Sequence, residues 1–329
     1  MLEPRQLRVL RAVAQTGSFA AAARALDCTQ PAVRRQIAAL ENSARTPLVV
    51  RNPNTGHPGN TGREIRLTEA GEILNGYAGR ILTRLHAAEE EMAYIKGARL
   101  GRVRLVSFLS GMSALVPTAL AGLRAGHPDT DVTFAEAAPP RAVEMLRGGD
   151  CDIALAFRYP KLAGADRGAD DWAGLVTRLL LTDRLLVAVP PEHRLAEAAD
   201  TGEITLAELA DEAWIAGCTQ CHSHLADLCA AEGFAPRIDM VTDDHLTAIA
   251  LVRAGLGVAV LPEIALTAET GDVRLLRLEP AVHREIVALT LPEYEALPAV
   301  RALLAQLTTA AGAQAAGLPT LSTAPQPGR

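Results

Sequence analysis

The stretch from Gly17 to Ile37 constrains this chain more than any other. It reads Gly-Ser-Phe-Ala-Ala-Ala-Ala-Arg-Ala-Leu-Asp-Cys-Thr-Gln-Pro-Ala-Val-Arg-Arg-Gln-Ile, and its caps and breakers divide it into two short helices joined by a tight turn. Ser18 is a natural N-cap, because its hydroxyl can accept a free N–H of the first turn. Ala20 to Ala25 are almost all strong helix formers, small enough for close packing. Leu26-Asp27-Cys28 makes the turn. Thr29 caps the second helix, and Pro31 falls in its first turn, where a missing N–H costs nothing. Val33, Ile37 and Leu40 recur at i, i+4, i+7 and face inward. Gln30, Arg34 and Arg35 stay outside, with side chains suited to paired hydrogen bonds with adenine and guanine edges. This is a helix-turn-helix whose second helix would read DNA. An Arg pair alone is usually just a solvated face, so the reading rests on the whole arrangement.

Charge is distributed to match. The chain of 329 residues has a net charge of −6, yet residues 1–66 hold ten Arg against four Asp/Glu. A head of +6 on a body of −12 fits a DNA-binding module attached to something else. The length allows two or three domains, with cores built from Ala, Leu and Val. No signal-peptide pattern follows the first Met and no apolar run is long enough to span a membrane. Five cysteines do not make a secreted disulfide framework, so a cytoplasmic location is expected.

The order Phe19, Ala22-Ala23, Leu26, Gln30-Pro31-Ala32-Val33, Arg35-Gln36-Ile37, Leu40-Glu41, then Pro47-Leu48, Arg51 and Arg66-Leu67-Thr68-Glu69-Ala70-Gly71 resembles the N-terminal domain of LysR-type transcriptional regulators. The resemblance extends more weakly to about residue 305. It implies a winged helix-turn-helix over residues 1–67, a linker and dimerisation helix over 68–97, and an effector-binding domain over 98–312. Residues 313–329 are rich in Ala, Thr, Pro, Gly and Gln and read as a disordered tail.

Pro4 to Gln15 would form a first helix backing the helix-turn-helix. Leu48–Val50 and Ile65–Leu67 have strand character, and residues 51–64 between them are dense in Gly, Pro and Asn. In the resembling family this is the wing. The loop is longer than usual there, either a functional extension or a disordered insertion. Arg51 and Arg63 at its ends suit phosphate or minor-groove contacts. Ala70, Leu74, Tyr77, Ile81, Leu85, Ala88, Met92 and Ile95 then recur at close to heptad spacing, which predicts a helix pairing with its copy in a second subunit. The alternative is a helix that buries one face in its own domain.

Beyond residue 101, strand and helix signals alternate, which implies βαβ units and mostly parallel sheets. The family's effector domain is two α/β lobes similar to periplasmic binding proteins, with crossovers near residues 160–180 and 262–270. Ligands of such sheets sit beyond the carboxyl ends of strands, beside helix N-termini. Ser107 and Ser110 follow the first strand, and the family holds its effector with hydroxyl residues at these positions; Ser113 is expected only to cap a helix. In the second lobe Cys218-Thr219 and Thr242-Asp243 occupy equivalent places. An anionic effector suits the helix N-termini best, while Asp243 and Asp244 leave room for a polar or cationic one or simply cap the next helix.

Cys218, Cys221, His222 and His224 leave three chemistries open: a thiol pair, a zinc site, or ordinary packing. The C-x-x-C-H pattern also matches haem attachment, which needs export. No catalytic set, GxGxxG or P-loop stands out. The whole predicts a ligand-responsive DNA-binding regulator, without enzymatic activity, metal or resident cofactor. Its partners are double-stranded DNA, a small-molecule effector and copies of itself, as homodimer or homotetramer, with no membrane. An α/β enzyme with an accessory DNA-binding head and an exported solute-binding module are the rivals.

Overall fold

A computed structural model of the chain describes residues 1–51, 65–95, 101–160, 172–266 and 271–317. Contacts divide it into two units, Met1–Ala98 with Glu144–Asp150, and Arg99–Val143 with Cys151–Arg329.

The first unit opens with α1 (Pro4–Thr16), α2 (Phe19–Ala25) and α3 (Gln30–Ala44). Glu3 and Gln6 cap α1 reciprocally, and Gly17 ends it at φ +67°, a left-handed conformation that favours glycine. Leu7, Leu10 and Val13 of α1 meet Phe19 and Ala22 of α2 and Val33, Ile37 and Leu40 of α3 in one core. Ser18 and Thr29 occupy the N-cap positions, but neither hydroxyl accepts a helix N–H. Both sit in extended backbone, and their carbonyls accept the Ala22 and Val33 N–H groups that start the two helices. Strands β1 (Val49–Arg51) and β2 (Ile65–Leu67) pair antiparallel, Arg51 opposite Ile65. Glu41 of α3 accepts the N–H groups of Leu48 and Val49, at 2.8 and 3.3 Å, which fixes the wing's base to the second helix of the motif. The tip of the wing, with Arg63, lies outside the described residues.

Helix α4 (Glu69–Ile95) is capped by Thr68, whose Oγ1 accepts the Gly71 N–H at 3.1 Å. Residue 71 must be glycine, since an added Cβ would sit 2.1 Å from the Leu48 carbonyl oxygen. Ala70, Leu74 and Leu82 pack on the core of this unit, so two positions of the expected intersubunit seam are used within the chain. The open stripe is displaced around the helix: Ile73 is 58% exposed, Tyr77 54%, Ile81 42% and Met92 54%.

The chain continues through β3 (Arg102–Ser107), α5 (Leu109–Ala114), α6 (Val116–Gly126), β4 (Asp131–Glu136), α7 (Pro139–Arg147) and β5 (Ile153–Arg158). Then come β6 (Val176–Val189), α8 (Ala198–Thr201), β7 (Glu203–Ile204), β8 (Ala213–Ala216), α9 (Thr219–Ala231), β9 (Arg237–Val241), α10 (His245–Arg253) and β10 (Val258–Pro262). Last are β11 (Arg274–Leu278), β12 (His283–Thr290), α11 (Pro292–Glu295) and α12 (Pro298–Gly317). The strands form two sheets that share β6. One runs β4-β3-β5-β12-β6, the other β6-β10-β8-β9, with β11 also paired to β6 and β7 paired to β11. Residues 176–184 of β6 pair with β12, and 185–189 with β10 and β11.

This is the expected two-lobe α/β arrangement, with three corrections. Residues 176–180, expected to belong to the first crossover, already form the start of β6. The return to the first sheet falls at residues 279–282, after β11, later than 262–270. Residues 313–317 are helical, since the Ala-rich run extends α12 where composition suggested a tail; residues from 318 onward lie outside the described part.

Candidate functional site

On α3, Gln30, Pro31, Arg34 and Arg35 are all exposed, with Thr29 just before them, while Val33, Ile37 and Leu40 are buried beneath. The Arg34 guanidinium lies over the Phe19 ring, 4.6 Å from its centroid. A cation–π contact of this kind holds the side chain at the α2–α3 corner without neutralising it. Ser18 is half-buried at the same corner, and Arg51 is exposed at the end of β1.

The second unit contains a cavity of about 120 Å³ at the carboxyl ends of its parallel strands. An engineered apolar cavity of roughly 150 Å³ holds a benzene ring, so this space suits a ligand built on one small ring. Phe108 and Ser110 beyond β3, Phe157 and Tyr159 at the end of β5, and Leu225 and Leu228 on α9 form much of its wall. Between them stands Arg284 of β12, 2% exposed. Its Nε donates to Asp183 Oδ2 and its Nη2 to Ser110 Oγ, both at 2.8 Å. The guanidinium also lies 4.6 Å from the Phe157 ring centroid and 5.3 Å from that of Phe108. Asp183 and Arg284 face each other across β6 and β12, where the two sheets join. Burial pushes the Asp183 carboxyl up from its ordinary value, against the pull of Arg284 and the Ile264 N–H.

Helices α9 and α10, packed on the second sheet, contribute His224 and His245. Burial holds His224 down at about 4, with Asp227 pulling the other way. His245 is held at about 4 by burial and by Arg284, against Asp244. Both imidazoles are therefore neutral near pH 7, and each can donate or accept. His224 Nε2 is buried without a hydrogen-bond partner. Its ring stacks on Tyr159, whose phenol burial raises to about 12. The Arg284–Asp183 pair is thus a buried ion pair in an aromatic wall that also carries the Glu136 and Asp243 carboxylates.

Of the effector residues expected from sequence, Ser110, Cys218, Thr242 and Asp243 line the cavity. Ser107 and Thr219 are not among its lining residues. Ser107 is fully buried and its hydroxyl donates to the Phe108 carbonyl at 3.0 Å; Thr219 is exposed on the first turn of α9. Ser110 belongs to helix α5 rather than a loop, and Ser113 donates to its carbonyl at 3.2 Å instead of capping. Asp244 alone caps α10, accepting from the Leu246 and Thr247 N–H groups. Arg284, Tyr159 and His245 also line the cavity, unexpected from the sequence, as does His224, which the sequence marked only for metal binding or packing. No local signal marked Arg284 or Asp183, because each stands next to an opposite charge, Glu285 and Arg184, and such a neighbouring pair reads as solvated surface rather than as a buried charge.

A family model described as "Bacterial regulatory helix-turn-helix protein, lysR family" matches residues 4–72, and one described as "LysR substrate binding domain" matches residues 96–312. The chain belongs to the LysR family of transcriptional regulators. A probable HTH-type transcriptional regulator, LrrA of Synechococcus elongatus, is 30% identical over 91% of this chain and 94% of its own. The Hca operon transcriptional activator HcaR of Escherichia coli is 28% identical over 92% and 96%. Among solved structures, a full-length OxyR variant from Pseudomonas aeruginosa covers 94% of this chain and 95% of its own, at TM-score 0.67 and 19% identity. Full-length CbnR in complex with its target DNA covers 94% and 100%, at TM-score 0.57 and 22% identity.

As a LysR regulator the chain binds DNA, takes a small-molecule effector in its C-terminal domain and works as a homo-oligomer, not as an enzyme. The bipartite match follows the basic head and acidic body of the sequence. Among the described residues no helix is long and apolar enough to cross a membrane, and no group of three His, Cys, Asp or Glu is placed to hold a metal ion.

Proposed function

We propose that this LysR regulator reads its operator with Gln30, Arg34 and Arg35 at base edges, and holds the DNA backbone with Ser18, Thr29, Pro31, Arg51 and Arg63. Two copies pair through the exposed stripe Ile73, Tyr77, Ile81 and Met92 of α4. The effector is a compact ring-bearing carboxylate occupying the cavity between the two sheets, with Ser110, Cys218, Thr242, Asp243, His224 and Arg284 around it. Binding DNA places the protein in the cytoplasm with the chromosome. The observation that carries the effector reading is the Ser110–Arg284 bond at 2.8 Å inside an aromatic wall. It supplies a polar anchor in a space otherwise suited to an apolar ring, the combination that fixes small ligands in orientation. Neutral His224 and His245 can donate to a carboxylate without carrying charge into the apo cavity.

The effector shifts a pre-existing balance between lobe arrangements, by the difference in its affinity for them. The test is a mobility shift of full-length protein on the region upstream of its own gene, with and without benzoate as the simplest aromatic carboxylate. Operator binding altered by benzoate in wild type, and unaltered in Ser110→Ala, supports the reading. Identical titrations in all conditions overturn the carboxylate class.

A further inference from the structure

Cys218 and Cys221 are joined by a disulfide in the wall of the cavity. We propose that this pair is a reversible redox modification site that sets effector affinity, an inference that rests on the cavity being the effector site. Cys218 is the N-cap of α9 and Cys221 lies in its first turn. Their Cα atoms are 5.0 Å apart, within the span disulfides occupy and also the ordinary spacing of residues three apart on a helix turn. The bond therefore opens and closes without unwinding α9. Both residues are half-buried, so a small thiol or disulfide can reach them, whereas Cys151 and Cys229 are buried. Burial pushes the Cys229 thiol up to about 11, which keeps it unreactive.

The two sulfurs have different surroundings. Cys218 Sγ accepts the Cys221 backbone N–H at 3.3 Å, an interaction that favours a thiolate at that sulfur. Cys218 is thus the attacking group. Its thiolate attacks one sulfur of a low-molecular-weight disulfide, forming a mixed disulfide and releasing one thiolate of the reagent. Cys221 then loses its proton to that thiolate and attacks the Cys218 sulfur, releasing the second thiolate, which takes the proton Cys218 gave up. Two protein thiols and one small disulfide become one protein disulfide and two small thiols; the reverse reaction reduces it.

The coupling to the ligand follows from position. His224 lies one turn beyond Cys221 on α9, more than nine-tenths buried, with Nε2 unpartnered and its ring lining the same cavity. Closing the disulfide pins the turn that presents this nitrogen and removes two S–H groups from the wall. Oxidation and effector binding then act on one set of atoms, and each must change the other's equilibrium by the same factor.

The experiment equilibrates the full-length protein in glutathione buffers of stepped thiol-to-disulfide ratio, quenches with acid, alkylates and maps cysteines by mass spectrometry. The expected result is conversion of Cys218 and Cys221 together in one step within the range, and trapping of glutathione on Cys218 in Cys221→Ser. A pair that stays fully reduced or fully oxidised at every ratio overturns the proposal, as does trapping on Cys28 instead. In parallel, benzoate affinity is measured by calorimetry on both redox forms, with Cys218→Ser/Cys221→Ser as control. A difference of about five-fold or more, absent in the double variant, is expected, with the half-oxidation ratio moved by that factor at saturating benzoate. Equal affinities overturn the coupling. If benzoate binds neither form, the carboxylate reading fails, while the titration still decides whether the pair is reversible.

Discussion

Tyr159 lies flat against His224, ring centroids 3.8 Å apart and planes 9° from parallel. Tyr159 follows β5 of the first sheet and His224 belongs to α9 of the second, so the stack spans the space where a ligand would sit. An aromatic pair of this kind contributes about 0.5–1.5 kcal/mol beyond its buried area. Protonation would bury a cation at His224, a cost that the nearby Asp227 charge offsets only in part, so the stack favours the neutral ring.

That dependence sets a pH response. His224 titrates at about 4 in the folded chain against an ordinary value of 6.5. Between those values the unfolded chain binds a proton that the folded chain does not, so stability rises with pH across this window. It is fully present above 6.5 and declines toward 4, by on the order of 3 kcal/mol for His224. His245 shifts in the same direction. Urea unfolding of wild type and His224→Phe at several pH values is the check: the variant keeps a stacked ring and should lose less stability in acid. Parallel pH profiles would remove His224 from the account.

Breaking the Asp183–Arg284 pair should be costly. Asp183→Ala leaves a buried guanidinium without its counter-ion, a loss of about 3–5 kcal/mol. Ser110→Ala removes one hydrogen bond to a charged group, about 1.5–3 kcal/mol. Denaturation midpoints should fall in that order, and a mild effect of Asp183→Ala would mean that water reaches Arg284.

For the DNA face, Arg34→Ala should weaken the cognate operator by about 1–3 kcal/mol and relax preference at one base pair per half-site. Arg51→Ala should weaken all sequences alike and make the salt dependence shallower. Binding titrations on operator variants at several salt concentrations separate the two. A uniform loss for Arg34→Ala would reassign it to phosphate.

Two substitutions on α4 should diverge. Tyr77→Asp with Ile81→Asp places charge on the exposed stripe and is expected to yield folded monomers in sedimentation. Leu74→Asp charges the core beneath α1 instead and should unfold the DNA-binding unit, since an unpaired buried charge is poorly tolerated. An unchanged oligomer in the first variant would place the subunit interface elsewhere.

Legibility in the sequence followed the range of the interactions. Gly17 to Ile37 was readable because caps, turn and buried face are all local. The heptad spacing of α4 was readable too, but not which stripe it leaves open, since Leu74 is claimed by a core assembled from α1 and β2. The cavity was half visible. Ser110, Cys218, Thr242 and Asp243 follow strand ends, a rule that works along the chain. Arg284 reaches the same space only through pairing of β6 with β12, which brings together residues far apart in sequence, whereas Tyr159 just past β5 and His224 on α9 lie where the strand-end rule points.

The late position of β12 in the chain has a consequence for how the protein is made. β12 separates β5 from β6 in the first sheet, yet it is residues 283–290 of the chain. On the ribosome, the strands of the second sheet all emerge before it does. That lobe can therefore close first, while β3, β4 and β5 wait with an open edge for a strand not yet synthesised. A nascent chain stalled before residue 283 exposes that edge to other chains, so the risk of misassembly belongs to the lobe translated first and completed last.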